Sequence, residues 1–515
     1  MLGIKNSMKA FSRTAIAVAV ISLFVLAPTG VASAAPGAWD TPVTISQAGA
    51  NASFPKVVSD GTTTTAVWYA LVGSSYVVYT ASSADKGATW GAPLALSDIS
   101  AGSYKPELAI GGGKVTAIWM STESGYDRIK TSFTADGGGT WSAPATLSAD
   151  GQYSYDPQLT VDGSNITAVW SGVIGSNARI QTASSTDGGA SWGAPAVLSE
   201  SGRNANGSYV VRFGNKISVV WVRNNGTRDR AQSAFSADGG ATWGAPVTLS
   251  EDGQYAAYQQ IAGSGLNVTI VWMRYDGANY RTQSVASVDG GATFGAPVML
   301  SPAGNNSSNP QLVSDNNRVT AVWSQQVGTI ARIQTAFAPH ATGTWSAPAS
   351  VSDPTVSSSS PQVASDGVNI TAVWFANVSG IFRVQSVLSV DGGVTWGLPV
   401  MLSEAGAGAS APELSSGPTV TVIWRRSDGT NNRTQVSSFT NAPIPVDPPV
   451  DPPVDPPVDP PVDPPVDPPV DDKETVVGGR LPDTGPTGVL SSLLIAGVLA
   501  AGGLLLTRRR RPTHV

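Results

Sequence analysis

The chain lacks cysteine altogether and has only two histidines among its 515 residues, His340 and His514. Without cysteine the fold cannot be held by disulfide bonds, and no thiolate can serve as a nucleophile or metal ligand. Two histidines cannot build a His-rich metal cluster, and a Ser-His-Asp triad would have to use His340. We therefore expect no metal ion and no other cofactor.

Charge is also scarce. Charged residues make up 13% of the chain, the formal net charge is −6 and the isoelectric point is near 5.0. Because a nucleic-acid-binding surface needs a basic patch, this balance argues against a nucleic-acid partner. The length alone allows either several domains or one large all-β unit.

Residues 1–35 are typical of a secretory signal peptide. Lys5, Lys9 and Arg13 precede an apolar run that is followed by the small-residue sequence Ala32-Ser33-Ala34. Positive residues, a short apolar segment and an A-x-A site in this order predict export and cleavage. An N-terminal membrane anchor is the alternative, but the apolar run is short and the cleavage site follows it directly.

Residues 481–515 hold three features in a fixed order. They are the pentapeptide Leu481, Pro482, Asp483, Thr484 and Gly485, an apolar run over 489–506, and four arginines at 508–511. The apolar run is just long enough to span a bilayer as a helix. The arginines would stay on the cytoplasmic side and hold the pentapeptide at the outer surface.

The pentapeptide resembles the LPxTG sorting signal of Gram-positive surface proteins. The resemblance implies that a sortase cleaves between Thr484 and Gly485 and joins Thr484 to peptidoglycan. The mature protein would then be extracellular and covalently bound to the cell wall, after a transient membrane-inserted stage. An ordinary single-pass anchor with a chance pentapeptide is the alternative, which the order of the three features disfavours.

Residues 442–480 form an acidic, proline-rich segment built on Asp-Pro-Pro-Val repeats. Proline favours the extended polyproline II form, and regularly spaced aspartates repel one another. At about 3.1 Å per residue, the run of repeats at 445–472 would reach roughly 85 Å. We interpret the segment as a stalk across the cell wall; a ligand for an aromatic groove is the rival interpretation.

The region between these ends is a repeat of 51 residues. Two series of aromatic residues share this period. The first is Trp39, Trp90, Trp141, Trp192, Trp243, Phe294, Trp345 and Trp396; the second is Trp68, Trp119, Trp170, Trp221, Trp272, Trp323, Trp374 and, one residue early, Trp424. Each unit contains four short strand patterns, which in residues 141–192 are 141–148, 157–161, 165–170 and 179–183. Four strands per unit of about 50 residues are typical of a propeller blade.

The end of each unit has the pattern S-x-D-x-G-x-[TS]-W, as in Ser185 to Trp192. This pattern resembles the Asp-box, or BNR, repeat of sialidases and other β-propellers. Its aspartates can accept backbone N–H groups across a turn and are expected to be structural. They are Asp85, Asp136, Asp187, Asp238, Asp289 and Asp391. A seventh copy is degenerate, with His340 at the Asp position, so that this histidine is more readily a decayed turn residue than a catalytic one.

The repeat predicts an all-β, eight-bladed propeller over residues 36–441. The resemblance implies that the Asp-box joins the third and fourth strands of a blade. The chain begins with a fourth-strand segment at Trp39 and ends its repeats with a third-strand segment at 433–439. The N-terminal strand is therefore expected to complete the eighth blade and close the ring, which removes the open sheet edge.

The resemblance to sialidases does not extend to their catalytic residues. It would imply an Arg-Ile-Pro motif, three carboxylate-binding arginines, an Asp acid and a late Tyr-Glu nucleophile pair. The sequence has no Arg-Ile-Pro and no tyrosine after Tyr280. The equal lengths of the repeats also leave little sequence for a deep asymmetric pocket. We therefore assign no catalytic residue.

Arginine recurs at the start of the third strand in seven units, and glutamine recurs two residues later. The arginines are Arg128, Arg179, Arg230, Arg281, Arg332, Arg383 and Arg433. A residue repeated in every blade suits a structural task, such as contact between neighbouring blades near the second-strand tryptophan. A cationic ring that binds acidic glycans is the alternative.

Residues that differ between blades are better candidates for recognition. Tyrosine, arginine and aspartate concentrate in the loops of blades 2, 4 and 5, on the face expected to lie opposite the Asp-boxes. The candidate ligand-binding residues are Tyr126, Asp127, Arg223, Arg228, Arg274, Tyr275, Asp276, Tyr280, Tyr255 and Tyr258. Tyrosine offers an apolar face and a polar tip, which suits a shallow carbohydrate or protein contact; solvated loop decoration is the plain alternative.

These patterns together favour a monomeric, wall-attached propeller that binds an extracellular glycan or protein without catalysis. Its covalent partners would be sortase and peptidoglycan. A divergent sialidase-like glycoside hydrolase is the rival hypothesis, and a purely structural coat protein is a third.

Overall fold

A computed structural model describes residues 38–315, 318–340, 344–367, 369–415 and 419–440 of the chain. All regular structure in these ranges is β-strand, arranged in eight antiparallel sheets. The all-β fold and the predicted number of eight blades are confirmed. The predicted signal peptide (1–35), the predicted stalk (442–480), the predicted sorting pentapeptide (481–485) and the apolar run at 489–506 lie outside the described residues. Among the described residues, none form a helix that could cross a membrane.

Each blade is a sheet of four strands, which are numbered here from the central channel outward. The first strands are β3 (Asn51–Ser59), β7 (Ser103–Gly111), β11 (Ser154–Asp162), β15 (Ala205–Phe213), β19 (Tyr255–Ser264), β23 (Ser307–Ser314), β27 (Ser358–Ser365) and β31 (Ala409–Leu414). The second strands are β4 (Thr64–Val72), β8 (Lys114–Glu123), β12 (Asn165–Ile174), β16 (Lys216–Asn224), β20 (Asn267–Tyr275), β24 (Arg318–Val327), β28 (Ile370–Val378) and β32 (Thr421–Ser427).

The outer two layers complete the blades. The third strands are β5 (Ser75–Ser83), β9 (Tyr126–Thr134), β13 (Asn177–Ser185), β17 (Asp229–Ser236), β21 (Tyr280–Ser287), β25 (Ile330–Pro339), β29 (Ile381–Ser389) and β33 (Asn432–Thr440). The fourth strands are β6 (Leu94–Ala95), β10 (Ala145–Thr146), β14 (Ala196–Val197), β18 (Val247–Thr248), β22 (Val298–Met299), β26 (Ala349–Ser350) and β30 (Val400–Met401), with β1 (Ala38–Trp39) and β2 (Val43–Thr44) in the eighth blade.

The fourth strands are shorter than the sequence suggested. The segment at 141–148 was expected to be extended throughout, yet only Ala145–Thr146 pairs with the third strand. A proline precedes this pair at Pro144 and stands at the same place in the other blades. Because proline cannot donate to a ladder, it blunts the outer edge of each blade against pairing with another sheet.

The ring is closed by the N-terminal strands, as predicted. β1 and β2 both pair with β33, with Trp39 opposite Phe439 and Val43 opposite Val436. The rings of Trp39 and Phe439 meet edge to face with centroids 5.3 Å apart. The eighth blade is thus built from both ends of the described chain, and the propeller has no open blade.

The hydrophobic core lies between neighbouring blades. The second-strand tryptophan of each blade is fully or almost fully buried. Trp119 of blade 2, for example, packs on Val67 and Val78 of blade 1 and on Leu96 in the connection between the two blades. Removing an indole from water in each of eight interfaces is a large apolar contribution, and it explains why the 51-residue tryptophan series is so regular.

Candidate functional site

The two faces of the propeller carry different kinds of turn. Hairpins between second and third strands and the connections between blades lie on one face, which we call the hairpin face. The Asp-box turns follow the third strands and therefore lie on the opposite face, which we call the Asp-box face. All ten candidate ligand-binding residues belong to the hairpin face or to the channel that opens on it.

The Asp-box turns form as the sequence predicted. Asp238 accepts hydrogen bonds from the backbone N–H of Thr242 (2.8 Å) and from its hydroxyl (2.5 Å), and Ser236 donates to the same carboxylate (2.9 Å). These bonds, led by that of the Thr242 hydroxyl, lower the pKa of Asp238 to about 2. Asp85, Asp136, Asp187, Asp289 and Asp391 accept equivalent bonds. The aspartates are therefore occupied by their own turns.

The preceding blade also holds these turns. Lys114 donates to the carbonyl of Asp187 (2.7 Å) and Thr116 donates to that of Gly188 (3.0 Å), so that the second strand of blade 2 grips the Asp-box of blade 3. In the degenerate copy, Nε2 of His340 lies 2.5 Å from the carbonyl of Asp315. His340 is thus bound locally on the Asp-box face.

The repeated arginines bind within their own blades. The Nε of Arg128 donates to the Ser148 hydroxyl (3.2 Å) and Nη2 donates to the Ser148 carbonyl (2.6 Å), just after the fourth strand. Arg179, Arg230, Arg281, Arg383 and Arg433 make the same contact with Ser199, Ser250, Ser301, Ser403 and Ser46. The expected contact between neighbouring blades is not what these six arginines make; each ties its third strand to the end of its fourth.

The candidate Tyr126 of blade 2 pairs with Tyr153, which lies in the connection to blade 3 and was not a candidate. The rings of Tyr126 and Tyr153 have centroids 5.0 Å apart, and both side chains are exposed. Asp127 instead turns toward its own sheet, where it accepts hydrogen bonds from the hydroxyls of Tyr104 (2.7 Å) and Thr122 (2.7 Å). Burial and then the bond to Asp127 raise the pKa of Tyr104 to about 12.

The candidates of blade 5 gather into a larger aromatic cluster. Tyr255 and Tyr275 are opposite in the sheet, and the ring of Tyr280 lies 6.3 Å from that of Tyr255 and 5.1 Å from that of Tyr275. Asp276 caps the hairpin by accepting the N–H groups of Ala278 (3.0 Å) and Asn279 (2.8 Å), which lower its pKa. The tyrosines, but not Asp276, are available for contact.

The candidate arginines are paired with glutamates in the connections before their blades. Arg223 lies 2.8 Å from Glu200, and Arg274 lies 2.9 Å from Glu251. Arg228 is exposed in the hairpin of blade 4, where its N–H donates to Asn225.

The mouth of the central channel carries a ring of side chains that the sequence analysis missed, apart from Tyr258. One residue per first strand sits at a β-bulge with positive φ, between 49° and 64°. These residues are Phe54, Lys105, Asp156, Gly207, Tyr258, Asn309, Ser360 and Ala411. The left-handed conformation interrupts the regular alternation of side chains along the strand at this position. The signal was available, because this position changes completely between repeats that are otherwise alike, and six of the eight residues are followed by proline.

The mouth has both apolar and charged character. Phe54 is 52% exposed and Tyr258 is 62% exposed. Between them around the ring, Lys105 and Asp156 form an ion pair. Beyond the ring, a cavity of about 360 Å³ opens into the channel.

The floor of this cavity is a charged cluster. Nζ of Lys56 lies 3.3 Å from Glu107 and 3.2 Å from Glu413, and the amide of Gln158 donates to Glu107 (3.0 Å). Burial alone would lower the pKa of Lys56, but the two carboxylates outweigh it and raise this pKa. Burial raises the pKa of Glu107 despite the attraction of Lys56. The cluster joins blades 1, 2 and 8 across the channel.

A row of aromatic rings runs from the channel mouth to the outside of blade 1. Phe54 stacks on Tyr69 with centroids 5.6 Å apart, and Tyr69 meets Tyr76 edge to face at 5.3 Å. Tyr69 and Tyr76 flank the hairpin of blade 1 and were not predicted, because no arginine or aspartate lies beside them in this hairpin. The hairpin face thus has aromatic surfaces on both sides of the channel mouth.

No metal site is evident in these ranges. Among the residues that the structure describes, no three histidine or acidic side chains come together in a geometry that could hold an ion.

Comparison with known proteins identifies the type of repeat but does not identify an activity. Residues 29–268 match the model of a BNR repeat-like domain. A comparison with curated proteins finds no match. The match of residues 29–268 confirms the BNR-type repeat that the Asp-containing turns predict.

Several solved structures are similar to the chain at low identity. They include the NanB sialidase of Streptococcus pneumoniae (12% identity, 65% of this chain and 67% of that chain, TM-score 0.38), an α-L-arabinofuranosidase of Fusarium graminearum (15%, 69% and 96%, 0.38) and an α-L-arabinanase of Penicillium chrysogenum (13%, 78% and 98%, 0.39). The described residues form an eight-bladed all-β propeller, and residues 29–268 of the chain match a BNR repeat-like domain.

Proposed function

We propose that the protein is a cell-wall-attached propeller that binds an extracellular carbohydrate on its hairpin face without catalysing its cleavage. The observation that supports this most is the pair of large exposed aromatic side chains, Phe54 and Tyr258, at the mouth of the channel. Sugar rings present C–H faces that pack on aromatic rings, and hydroxyl groups that bind to nearby polar side chains.

The backbone at the mouth supports the same proposal. Phe54 and Tyr258 both have positive φ, a conformation that costs a non-glycine residue of order 1 kcal/mol or more. Glycine, which would avoid this cost, occurs at only one of the eight equivalent positions. Phe54 and Tyr258 thus keep exposed rings at a strained backbone position, where they are well placed to contact a ligand.

The charges in the channel favour binding over catalysis. A glycosidase of the usual type needs two carboxyl groups with separate roles on either side of the scissile bond. Here Glu107 and Glu413 share the single ammonium of Lys56, while Asp156 is paired with Lys105. These pairings hold the carboxylates in a network that links blades.

Glycoside hydrolysis is the second candidate function, and one observation favours it. Glu107 has a raised pKa, as a general acid requires, and lies near a second carboxylate, Glu413, across Lys56. If this were the active site, Glu107→Gln would abolish turnover of a fluorogenic glycoside. The binding proposal predicts no turnover to abolish.

The test of binding uses a glycan array followed by titration calorimetry with the best ligand. We expect Phe54→Ala and Tyr258→Ala each to weaken binding roughly tenfold, because an aromatic contact contributes about 1 kcal/mol or more beyond the area it buries. Leu398→Ala is the matched control, since Leu398 is 86% exposed but precedes a fourth strand at the rim. Equal loss in all three variants would contradict the proposal, and so would retention in all three. Absence of both binding and turnover would favour the coat-protein alternative.

The attachment to the wall belongs to the same proposal. β33, the last strand that the structure describes, is a third strand and ends on the Asp-box face. The described part of the chain therefore ends on the face opposite the hairpin face. Muramidase release followed by mass spectrometry should find Thr484 joined to a peptidoglycan fragment, and a chain recovered intact to Val515 would contradict the sortase step.

A further inference from the structure

Three hairpins of the propeller share an eight-residue pattern of two arginines around a turn. They occupy 223–230, 274–281 and 426–433, in blades 4, 5 and 8, and follow R-x-[ND]-G-[TA]-x-x-R. The sheet register places the two arginines of each hairpin directly opposite one another, as in Arg223 and Arg230. Like charges in this position destabilise a sheet, so that each pair needs negative charge nearby.

Blades 5 and 8 supply this charge from their own turns. In blade 5, Arg274 is bound to Glu251 (2.9 Å) and Arg281 lies 3.4 Å from Asp276, the turn residue. In blade 8, Arg426 is bound to Glu404 (2.8 Å) and Arg433 lies 3.5 Å from the turn residue Asp428. The side chains of Asp276 and Asp428 are 22% and 28% exposed, so that both carboxylates lie against the sheet beside their arginines.

Blade 4 lacks the turn carboxylate. Asn225 stands where the other two hairpins have aspartate, and its amide oxygen makes the same turn by accepting the N–H groups of Thr227 (3.0 Å) and Arg228 (2.9 Å). Arg223 keeps its glutamate, Glu200. Arg230 is paired with Asp252, whose side chain is fully exposed and therefore well screened by water.

Further positive charge surrounds this hairpin. The guanidinium of Arg203 lies over Gly226 at the tip of the turn, and Arg228 is exposed beside it. Burial and, after it, the charge of Arg223 lower the pKa of Arg179 in blade 3. The carboxylate of Asp229 is already bonded to the side chains of Asn224 (2.9 Å) and Tyr255.

A cavity of about 450 Å³ opens between these groups. Its lining includes Arg223, Asn225, Arg230, Gln232 and Asp252. The Nε–H of Arg223 is buried there without a hydrogen-bond partner, as are the equivalent Nε–H groups of Arg274 and Arg426 in blades 5 and 8. A buried donor on a cation is a ready contact for an anionic oxygen, and of the three hairpins only that of blade 4 has no turn carboxylate beside it.

We propose that the hairpin of blade 4 binds an anionic oxygen group of the ligand, a carboxylate, sulfate or phosphate, through Arg223 and Arg230 with the amide of Asn225. The inference rests on the proposed carbohydrate-binding function and adds that the carbohydrate is acidic. Blades 5 and 8 do not bind such a group, because Asp276 and Asp428 occupy the corresponding place with a fixed negative charge.

The natural difference between blades supplies the test. Titration calorimetry of the full-length protein uses tetragalacturonate as a carboxylated probe, its methyl ester as the matched neutral probe, and inorganic phosphate as a probe without sugar. We expect Asn225→Asp, which keeps the turn found in blades 5 and 8, to weaken tetragalacturonate binding roughly tenfold or more, the size of a lost charge-assisted contact. The reverse change in blade 5, Asp276→Asn, should raise the number of anions bound.

The outcomes separate this subsite from the proposed function. Weaker binding of the methyl ester, together with the loss in Asn225→Asp, supports an acidic sugar. Phosphate binding that is lost in Asn225→Asp, with no binding of either saccharide, supports the anion site but contradicts carbohydrate binding. Equal affinity for tetragalacturonate and its ester, or tetragalacturonate binding unchanged in Asn225→Asp, overturns the subsite and leaves carbohydrate binding intact.

Discussion

At the scale of single residues, the propeller uses its side chains in two ways that look alike in the sequence. Asp238 and the other Asp-box aspartates recur because each blade needs the same turn. Asp127 and Asp276 have no counterpart in most blades, which suggested recognition, yet both are bound to neighbouring groups of their own blades. Rarity within a repeat therefore points to recognition only when the side chain also remains free of its own blade.

The Asp-box aspartates predict how stability depends on pH. Their turn bonds lower the pKa to about 2 in Asp85 and Asp238, below the value near 3.9 expected in the unfolded chain. A depressed carboxyl pKa stabilises the fold above the unfolded value, and this contribution is lost as the pH falls toward the folded value. We expect the thermal unfolding midpoint to fall between about pH 4 and pH 2.

The measurement is a series of calorimetric scans over this pH range. Asp238→Asn keeps an acceptor for the Thr242 N–H but does not titrate, so that the variant should lose less stability on acidification than the unaltered protein. A variant with the same acid dependence as the unaltered protein would show that this aspartate does not contribute to it.

At the scale of elements, the Asp-box turn also packs closely against the preceding blade. Gly291 has a φ of 95°, and a Cβ at this position would collide with the Ser218 hydroxyl of the preceding blade. The residue spacing within the turn repeats from blade to blade because of two requirements, a left-handed backbone and a close approach between sheets. At the equivalent glycines a Cβ would also meet a serine of the preceding blade, there on its third strand, with Gly138 against Ser82 and Gly240 against Ser184.

We expect Gly291→Ala to lower the free energy of unfolding by about 2 to 4 kcal/mol, from the backbone cost and the collision together. Gly253→Ala is the control, since Gly253 has a φ of 75° but open space around it, and we expect it to cost only about 1 kcal/mol. Denaturant titration of both variants measures the difference, and equal losses would show that contact between blades adds nothing at Gly291.

Much of the fold could be predicted from the sequence because the tryptophans that fill the interfaces are all spaced by the blade period. The fourth strands are shorter than the sequence predicts, because the proline before each of them, such as Pro144, limits pairing with the third strand. The channel mouth was missed except for Tyr258, because a regular strand alternation was expected at Phe54 and Lys105, although the variation of this position between repeats and the proline after it marked the bulge. The arginine series suggested contacts between blades, but the alignment of third and fourth strands brings each arginine to its own blade's serine.

At the scale of the whole molecule, the ring depends on a closure that the chain makes only once. Ile45 follows β2, is buried, and packs with Trp68 of blade 1 and Val436 of blade 8. Its N–H donates to the carbonyl of Thr434 (2.9 Å). The equivalent residue of blade 3, Leu198, makes the same backbone bond to Ile180 within a continuous blade.

This difference predicts separate consequences for the same kind of substitution. Ile45→Ala and Leu198→Ala should each lower the free energy of unfolding by about 2 to 4 kcal/mol. Only Ile45→Ala should loosen the N-terminal strands, because β1 and β2 are not continuous with β33 in the chain. Limited proteolysis should then cleave this variant before Asn51 faster than it cleaves Leu198→Ala, and equal rates would contradict a closure that depends on this residue.

The central claim is that the hairpin face binds a carbohydrate, and amide hydrogen exchange with the best-binding glycan from the array tests it most directly. We predict slower exchange at the starts of the first strands of blades 1 and 5 and in the hairpin at 275–280, with the Asp-box turns unchanged. Slower exchange confined to the Asp-box turns or the rim would contradict the claim, as would no change at a saturating glycan concentration.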